Sequence, residues 1–193
     1  MPKIDRRVAR TNQALREAFQ QLAVTHNYRD ITVKQLTEVA NVNRKTFYLH
    51  FDSIDDLAET FVHDSAEQIL KVINQTDIKK SLATSGIIFD QLAYFYNQAR
   101  DFHRVVLLND DYSFLARKVQ NEVAHGLTAN LQTAYHLSKV DALVCANFLI
   151  HNMMTFFRLF FTGQLDLTPA EFKQHLISLN SYGVHQFFYP NEH

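Results

Sequence analysis

The chain has 193 residues and a mass of 22.4 kDa, a net charge of −1, 47% hydrophobic and 20% charged residues, and only four Gly and three Pro. A chain of this length buries roughly 70% of the surface its unfolded form exposes, enough for a real core, and its composition excludes collagen-like and disordered classes. A single cysteine, Cys145, excludes an intrachain disulfide and a four-cysteine zinc site, and the polar start MPKIDRRVARTNQ lacks the apolar run of a signal peptide, so a reducing cytoplasm is expected.

Helical periodicity runs through the sequence, with no alternating strand pattern. Val8, Leu15, Phe19 and Leu22 share one face and predict a helix over 8–26. Thr32 followed by Gln35 is a capping-box start, with Val33, Leu36, Val39 and Ala40 turned inward. Asn43 caps a short helix over 44–50, and Ser53 with Asp56 forms a third box that opens a long helix through Leu57, Phe61, Ile69 and Ile73. Further helices are expected near 82–99, 102–108, 112–136, 139–162 and 168–188, with Gly163 closing one and Thr168-Pro169 with Glu171 opening the next. The stretch ALVCANFLIHNMMTFFRLFF, residues 142–161, is as long as a membrane span, but Asn147, His151, Asn152 and Arg158 interrupt it and no basic cluster flanks it. It reads as a helix buried nearly all round in protein, not as a membrane partner.

Charge is unevenly distributed. Residues 1–51 hold nine Lys and Arg against four Asp and Glu, whereas residues 52–193 hold ten against sixteen. A basic head on an acidic body suggests that the head meets an anion, and phosphate backbones are the commonest such partner. Residues 31–57, ITVKQLTEVANVNRKTFYLHFDSIDDL, place two short helices around a three-residue turn, the pattern of a helix-turn-helix. In that motif the first helix crosses the phosphates and the second enters the major groove by its N-terminal residues. Arg44 and Lys45 stand there, with side chains suited to guanine O6 and N7. Thr46, Tyr48 and His50 offer donors to phosphate oxygens, while Phe47 and Phe51 share the opposite face and pin the helix. Tyr48 read alone also fits a cap on the small core, and His50 also fits a solvated surface position. The N–H groups beside the caps Thr32 and Asn43 are placed where a phosphate could bind.

The run V-N-R-K-T-F-Y-L-H-F followed by D-S-I-D-D-L, with the preceding I-T-V-K-Q-L-T-E-V-A, resembles the DNA-binding head of the TetR family of bacterial transcription regulators over residues 8–62. The resemblance implies an all-α protein of about nine helices: a three-helix head at 1–52 on a larger helical body at 53–193 that binds a small inducer and a second subunit. By position it assigns Lys34, Arg44 and Lys45 to base edges, and Thr32, Asn43, Thr46, Tyr48 and His50 to the rest of the DNA interface. Two positions depart from the family pattern. Asn41 stands where glycine is usual, and asparagine tolerates the left-handed backbone such a turn needs. Ile54 stands where lysine is usual, which removes one phosphate contact; the basic residues Lys3, Arg6, Arg7 and Arg10 are positioned to compensate.

Thirteen of the 16 phenylalanines follow residue 52, and an aromatic helical bundle can enclose an apolar pocket. Phe89, Tyr96, Phe102, His103, Phe114, His151, Asn152 and Phe156 are the candidate lining, although each also fits an ordinary core position. His151 is polar in the middle of the most apolar helix. The last two helices are the most apolar pair, and in the resembling family that pair forms the dimer interface. Phe148, Thr155, Leu159 and Thr162 against Ile177, Asn180, Val184 and Phe187 are the corresponding candidates. Nothing supports an enzyme: the sequence has no H-E-x-x-H, G-x-G-x-x-G, P-loop or G-x-S-x-G, and His63 with Glu67 is one ligand short of a catalytic zinc site. No cofactor is expected. The reading is a homodimeric, ligand-responsive repressor acting on a palindromic operator; the alternative is a TetR-like interaction protein that has lost specific DNA binding.

Overall fold

The computed structural model describes residues 6–75 and 87–183. Among them are nine α-helices and no strand: α1 Arg6–Thr25, α2 Val33–Val39, α3 Arg44–Tyr48, α4 Ile54–Gln75, α5 Ile87–Gln98, α6 Arg100–Leu108, α7 Ser113–Tyr135, α8 Lys139–Phe161 and α9 Pro169–Tyr182. The expected all-α fold and helix number agree with this. The helical turns expected at 82–86 and 184–188 lie outside the described residues, as does Lys3.

The chain forms two compact units, one of Met1–His63 with Ala99–Ala116, the other of Asp64–Gln98 with Arg117–His193. The first is built around α1, whose Leu15, Ala18, Phe19 and Leu22 are buried together with Ile31, Leu36, Phe47, Leu57, Phe61 and Phe102. Three rings form its centre, Phe19 with Phe61 at 5.2 Å, Phe61 with Phe102 at 5.2 Å and Phe19 with Phe102 at 6.0 Å between centroids. Aromatic pairs at these separations add to the gain from burial itself. Arg16 lies with its guanidinium 4.3 Å from the Phe61 centroid and donates to the Thr60 hydroxyl at 2.9 Å.

Two valines depart from the expected inward faces. Val8 is exposed because it lies in the outermost turns of α1, where residues 6–10 are all in solvent. Val39 is exposed because the inward line of α2 passes through Leu36 and Thr37 instead. The Thr37 hydroxyl escapes a burial penalty by donating to the Val33 carbonyl at 2.8 Å.

In the second unit the inward line of α8, Ala142, Ala146, Ile150, Met153 and Phe157, meets Val123, Ala124, Leu127 and Leu131 of α7, Ile69 and Ile73 of α4, and Phe172 and Leu176 of α9. Phe172 is fully buried against Phe160, Phe157 and Phe156, at centroid distances of 4.5, 5.6 and 6.1 Å. Ser138 caps α8 through the Asp141 N–H, and Thr168 with Glu171 closes the expected capping box before Pro169. The hydrogen bonds from Thr168 hold the Glu171 carboxyl below the usual carboxylate range. Gly163 follows α8 with φ +71°, the expected helix stop.

Burial of α8 nearly all round is not what one chain provides. Its length and mean hydropathy of 1.4 would let it cross a membrane by composition alone, yet it buries a single stripe. Val140, Val144 and Phe148 on its other side are 70, 63 and 54% exposed. The stripe is one-sided because only the face of Ala142, Ala146, Ile150, Met153 and Phe157 joins the buried cluster of this unit.

Because Phe172 is fully buried among Phe156, Phe157 and Phe160, Phe172→Ala is expected to cost about 3–5 kcal/mol of stability, read from chemical denaturation. A loss below about 1 kcal/mol would show that the site collapses around the truncation.

Candidate nucleic-acid interface

α3 has five residues, too few to be stable alone, so its position depends on caps and packing. Asn43 supplies the N-terminal cap, its side chain accepting from the Lys45 N–H at 2.8 Å. Before it, Asn41 adopts φ +52°, the left-handed turn anticipated from its residue type. Val42 N–H donates to the Thr37 carbonyl at 3.0 Å and closes α2 onto the turn. Upstream, Thr32 and Gln35 form the predicted reciprocal capping box. Downstream, the Asp56 N–H donates to Ser53 Oγ at 3.1 Å, but the Asp56 carboxylate accepts from Asp52 rather than from Ser53. That box is therefore offset by one residue.

Phe47 is fully buried and Phe51 nearly so, their rings 5.9 Å apart, and they fix which side of α3 faces solvent. The outward side carries Arg44, Lys45, Tyr48 and Leu49. Arg44 Nη2 donates to the Tyr48 hydroxyl at 3.3 Å, with its guanidinium 5.7 Å from the ring centroid, an i,i+4 pairing that restricts both side chains. Thr46 and His50 are half-buried at the edges of this face. Lys34 is exposed on α2, 4.0 Å from Glu38. Thr32 and Asn43 are exposed but engaged as caps: the Thr32 hydroxyl both accepts from the Gln35 N–H at 3.2 Å and donates to its side chain at 2.7 Å.

Sequence reading missed a polar network in the same unit. The Tyr28 N–H donates to the Asp111 carboxylate, the Tyr28 hydroxyl to Asp55, and the Tyr112 hydroxyl to the His26 carbonyl at 2.8 Å. Tyr28 also packs edge-on against Tyr112 at 5.6 Å and Phe114 at 4.8 Å. Burial first, then the Asp55 hydrogen bond, raises the Tyr28 phenol far above its ordinary value; burial and the Asp111 carboxylate push Tyr112 up to about 12. Both shifts favour the neutral, donating phenol. Only the polar run Asn27–Asp30 hinted at this place, and nothing local signals a partner some 80 residues on.

The candidate pocket residues are distributed between the units. Phe102, His103 and Phe114 belong to the first, with Phe102 in the ring cluster around Phe19. Tyr96, His151, Asn152 and Phe156 belong to the second. Tyr96 is buried and stacked on Phe161 at 3.9 Å, whereas His151 is exposed, its Nδ1 2.9 Å from the Asn147 carbonyl. Phe89 lies on α5, and its side chain is outside the described residues. A cleft of about 170 Å³ in the second unit is lined by other residues, Gln68, Ile69, Lys71, Val72, Tyr94, Phe95 and Gln98. Of the interface candidates, Phe148 and Thr155 on α8 and Thr162 at its C-cap are exposed, and Leu159, Ile177 and Asn180 are half-buried. Asn152 donates to Asn180 at 3.3 Å, and Val184 and Phe187 lie outside the described residues.

Residues 15–60 match the family described as bacterial regulatory proteins, tetR family. The helix-turn-helix head is a TetR-family head. The chain is also 39% identical over 98 residues to the uncharacterized HTH-type transcriptional regulator YxbF of Bacillus subtilis (strain 168), a match covering 47% of this chain and 26% of that protein. Its fold is similar to that of a transcriptional regulator (TerR/AcrR family) from Aquifex aeolicus VF5, with a TM-score of 0.57 at 12% identity over 86% of this chain and 95% of the other. A looser likeness is to the dihydroxyacetone kinase operon activator DhaS, with a TM-score of 0.48 at 15% identity over 92% of this chain and 94% of the other. The match to the TetR family begins at Leu15, the first fully buried residue of the head, and runs to Thr60, whose hydroxyl accepts from Arg16.

Asn43 acts on the TetR-type head through its cap, so Asn43→Ala is expected to lower stability by about 1 kcal/mol and Asn43→Asp to leave it nearly unchanged. Denaturation midpoints of the two variants test this; equal losses would remove the cap from the account.

Proposed function

We propose that the protein regulates transcription in the cytoplasm by binding a palindromic operator as a homodimer, as a repressor released by a small-molecule inducer, with no catalytic step and no membrane attachment. The observation that carries this is the outward face of α3, where Arg44, Lys45 and Tyr48 stand clear of the core on a helix pinned from behind by Phe47 and Phe51. Guanidinium and ammonium groups in a major groove read guanine edges, the role the resemblance also gives Lys34, and Tyr48 and His50 add positions suited to phosphates.

The second subunit is supported by the apolar exposed side of α8, which costs free energy in water and is offset when a copy covers it. Two heads on one face of DNA would then meet half-sites about 34–36 Å apart or a little more. Release by an inducer requires that the ligand bind the DNA-incompetent spacing of the heads better than the competent one. α4 and α7 each contribute residues to both compact units and are the natural levers for that change. The half-buried Ile54 in place of the family's lysine favours a second reading, a protein that keeps the fold and has lost specific DNA binding.

Fluorescence anisotropy with the upstream intergenic DNA and a scrambled duplex, over a salt series, separates the two. A preference of ~10³ or more with a steep salt slope is expected; equal weak binding to every duplex would support the second reading. On the preferred duplex Arg44→Ala is expected to cost about 1–3 kcal/mol and to relax preference at particular base pairs, while Tyr48→Phe weakens all duplexes alike. Equal losses for Arg44→Ala on specific and scrambled DNA would remove its base-reading role.

A further inference from the structure

Leu49 is the most exposed large apolar side chain among the described residues, at 82%. A single exposed leucine is ordinary, and its neighbours make this one informative. Its backbone, φ −79° and ψ −16°, continues the helix past Tyr48, so Leu49 stands on the same outward face as Lys45, four residues back, beside Tyr48 and Arg44. Phe47 and Phe51, on either side in sequence, take the buried positions, and the Leu49 N–H is satisfied by the carbonyls of Lys45 and Thr46. Neither packing nor hydrogen bonding in the head uses the side chain. Two cations on the same face favour an anionic partner over an apolar protein surface.

Resting on the DNA-binding function proposed above, we propose that Leu49 is a specificity-determining residue that reads the 5-methyl group of thymine in the major groove. Thymine alone among the four bases presents an apolar group on that edge, and an aliphatic side chain is its natural complement. Contact withdraws both groups from water without requiring a hydrogen bond, so the gain is small and additive with the polar readout by Arg44 and Lys45. Residues 45 and 49 lie about 6 Å apart along the helix. With base pairs stacked about 3.4 Å apart, the thymine falls within about two steps of the base pair that Lys45 meets.

The test begins with selection of binding sequences from a random duplex pool by the full-length chain, followed by replacement of each selected thymine with deoxyuridine, which lacks only the methyl group. For the wild-type protein, removing the methyl from the contacted thymine is expected to weaken binding about fourfold. Leu49→Ala should bind the thymine and deoxyuridine duplexes equally at that position, while Leu49→Met should retain the difference. A side chain so exposed leaves folding intact on truncation, which an unchanged thermal midpoint for Leu49→Ala would verify. If a sequence is selected but the deoxyuridine effect is the same in wild type and Leu49→Ala at every position, this proposal falls and DNA reading stands. If Leu49→Ala instead shifts the sedimentation coefficient and leaves the methyl effect intact, Leu49 serves a contact between copies. If no sequence is selected at all, both proposals fall together.

Discussion

A five-residue helix has no stability of its own, so everything the head does at its surface depends on how Phe47 is held. Its fully buried ring, with Phe51 one turn on, fixes the rotation of α3 about its own axis. A rotation of one residue, about 100°, would exchange a cation for a phenylalanine on the outward side. The Asn43 cap fixes where the helix begins, and the left-handed Asn41 fixes the direction from which the chain enters. These three local constraints place Arg44, Lys45, Tyr48 and Leu49 in solvent on one face. Without them the same residues would be a short basic loop with no defined presentation.

The support behind that helix comes from remote parts of the chain. Phe19 on α1 is gripped by Phe61 from α4 and Phe102 from α6, while Tyr28 and Tyr112 bind the segment after α1 to the turn before α7. Tyr112 is fully buried with its hydroxyl satisfied, and burial with the neighbouring Asp111 carboxylate raises its pKa to about 12, which favours the donating phenol. A polar link of this kind adds direction to a core that aromatic packing alone would leave adaptable. Phe102 in turn ties α6 to Phe19 and Phe61, in the same unit as α3, although some fifty residues separate the two helices in sequence.

Much of the local architecture was legible because caps and turns are short-range chemistry. Thr32 with Gln35, Thr168 with Glu171, Asn43, Asn41 and Gly163 each act within four residues, and each is found in its expected role. Facing was less legible where two residues competed for one position. In α2, Thr37 takes the inward place beside Leu36 that a hydropathy pattern assigns to Val39, because its hydroxyl can be satisfied by the helix itself. Long-range pairings left no signal. Phe102 reads as a body aromatic and packs on Phe19, and the partner of Tyr28 lies beyond residue 110. The site shows the same division: the outward cations and the buried phenylalanines of α3 follow from spacing, whereas the pairing of the Arg44 guanidinium with the Tyr48 hydroxyl was not anticipated.

α8 shows why composition and burial have to be argued separately. Its apolar content is that of a membrane span, and that content is divided between a buried face and an exposed one. Ala142, Ala146, Ile150 and Met153 are buried in one cluster with residues of α7 and α9 on one side. The other side begins with Val140, Val144 and Phe148 and continues through His151, Thr155 and Thr162, apolar at one end and polar at the other. A lipid-facing helix has no reason for that gradient, since hydrocarbon penalises His151 and Arg158 wherever they face it. A helix covered by a second copy does have one: an apolar patch supplies area, and a polar margin supplies register and keeps the uncovered chain in solution. The proposed homodimer thus accounts for both the hydropathy of α8 and its interruptions, with Phe148 at the apolar end as its natural anchor.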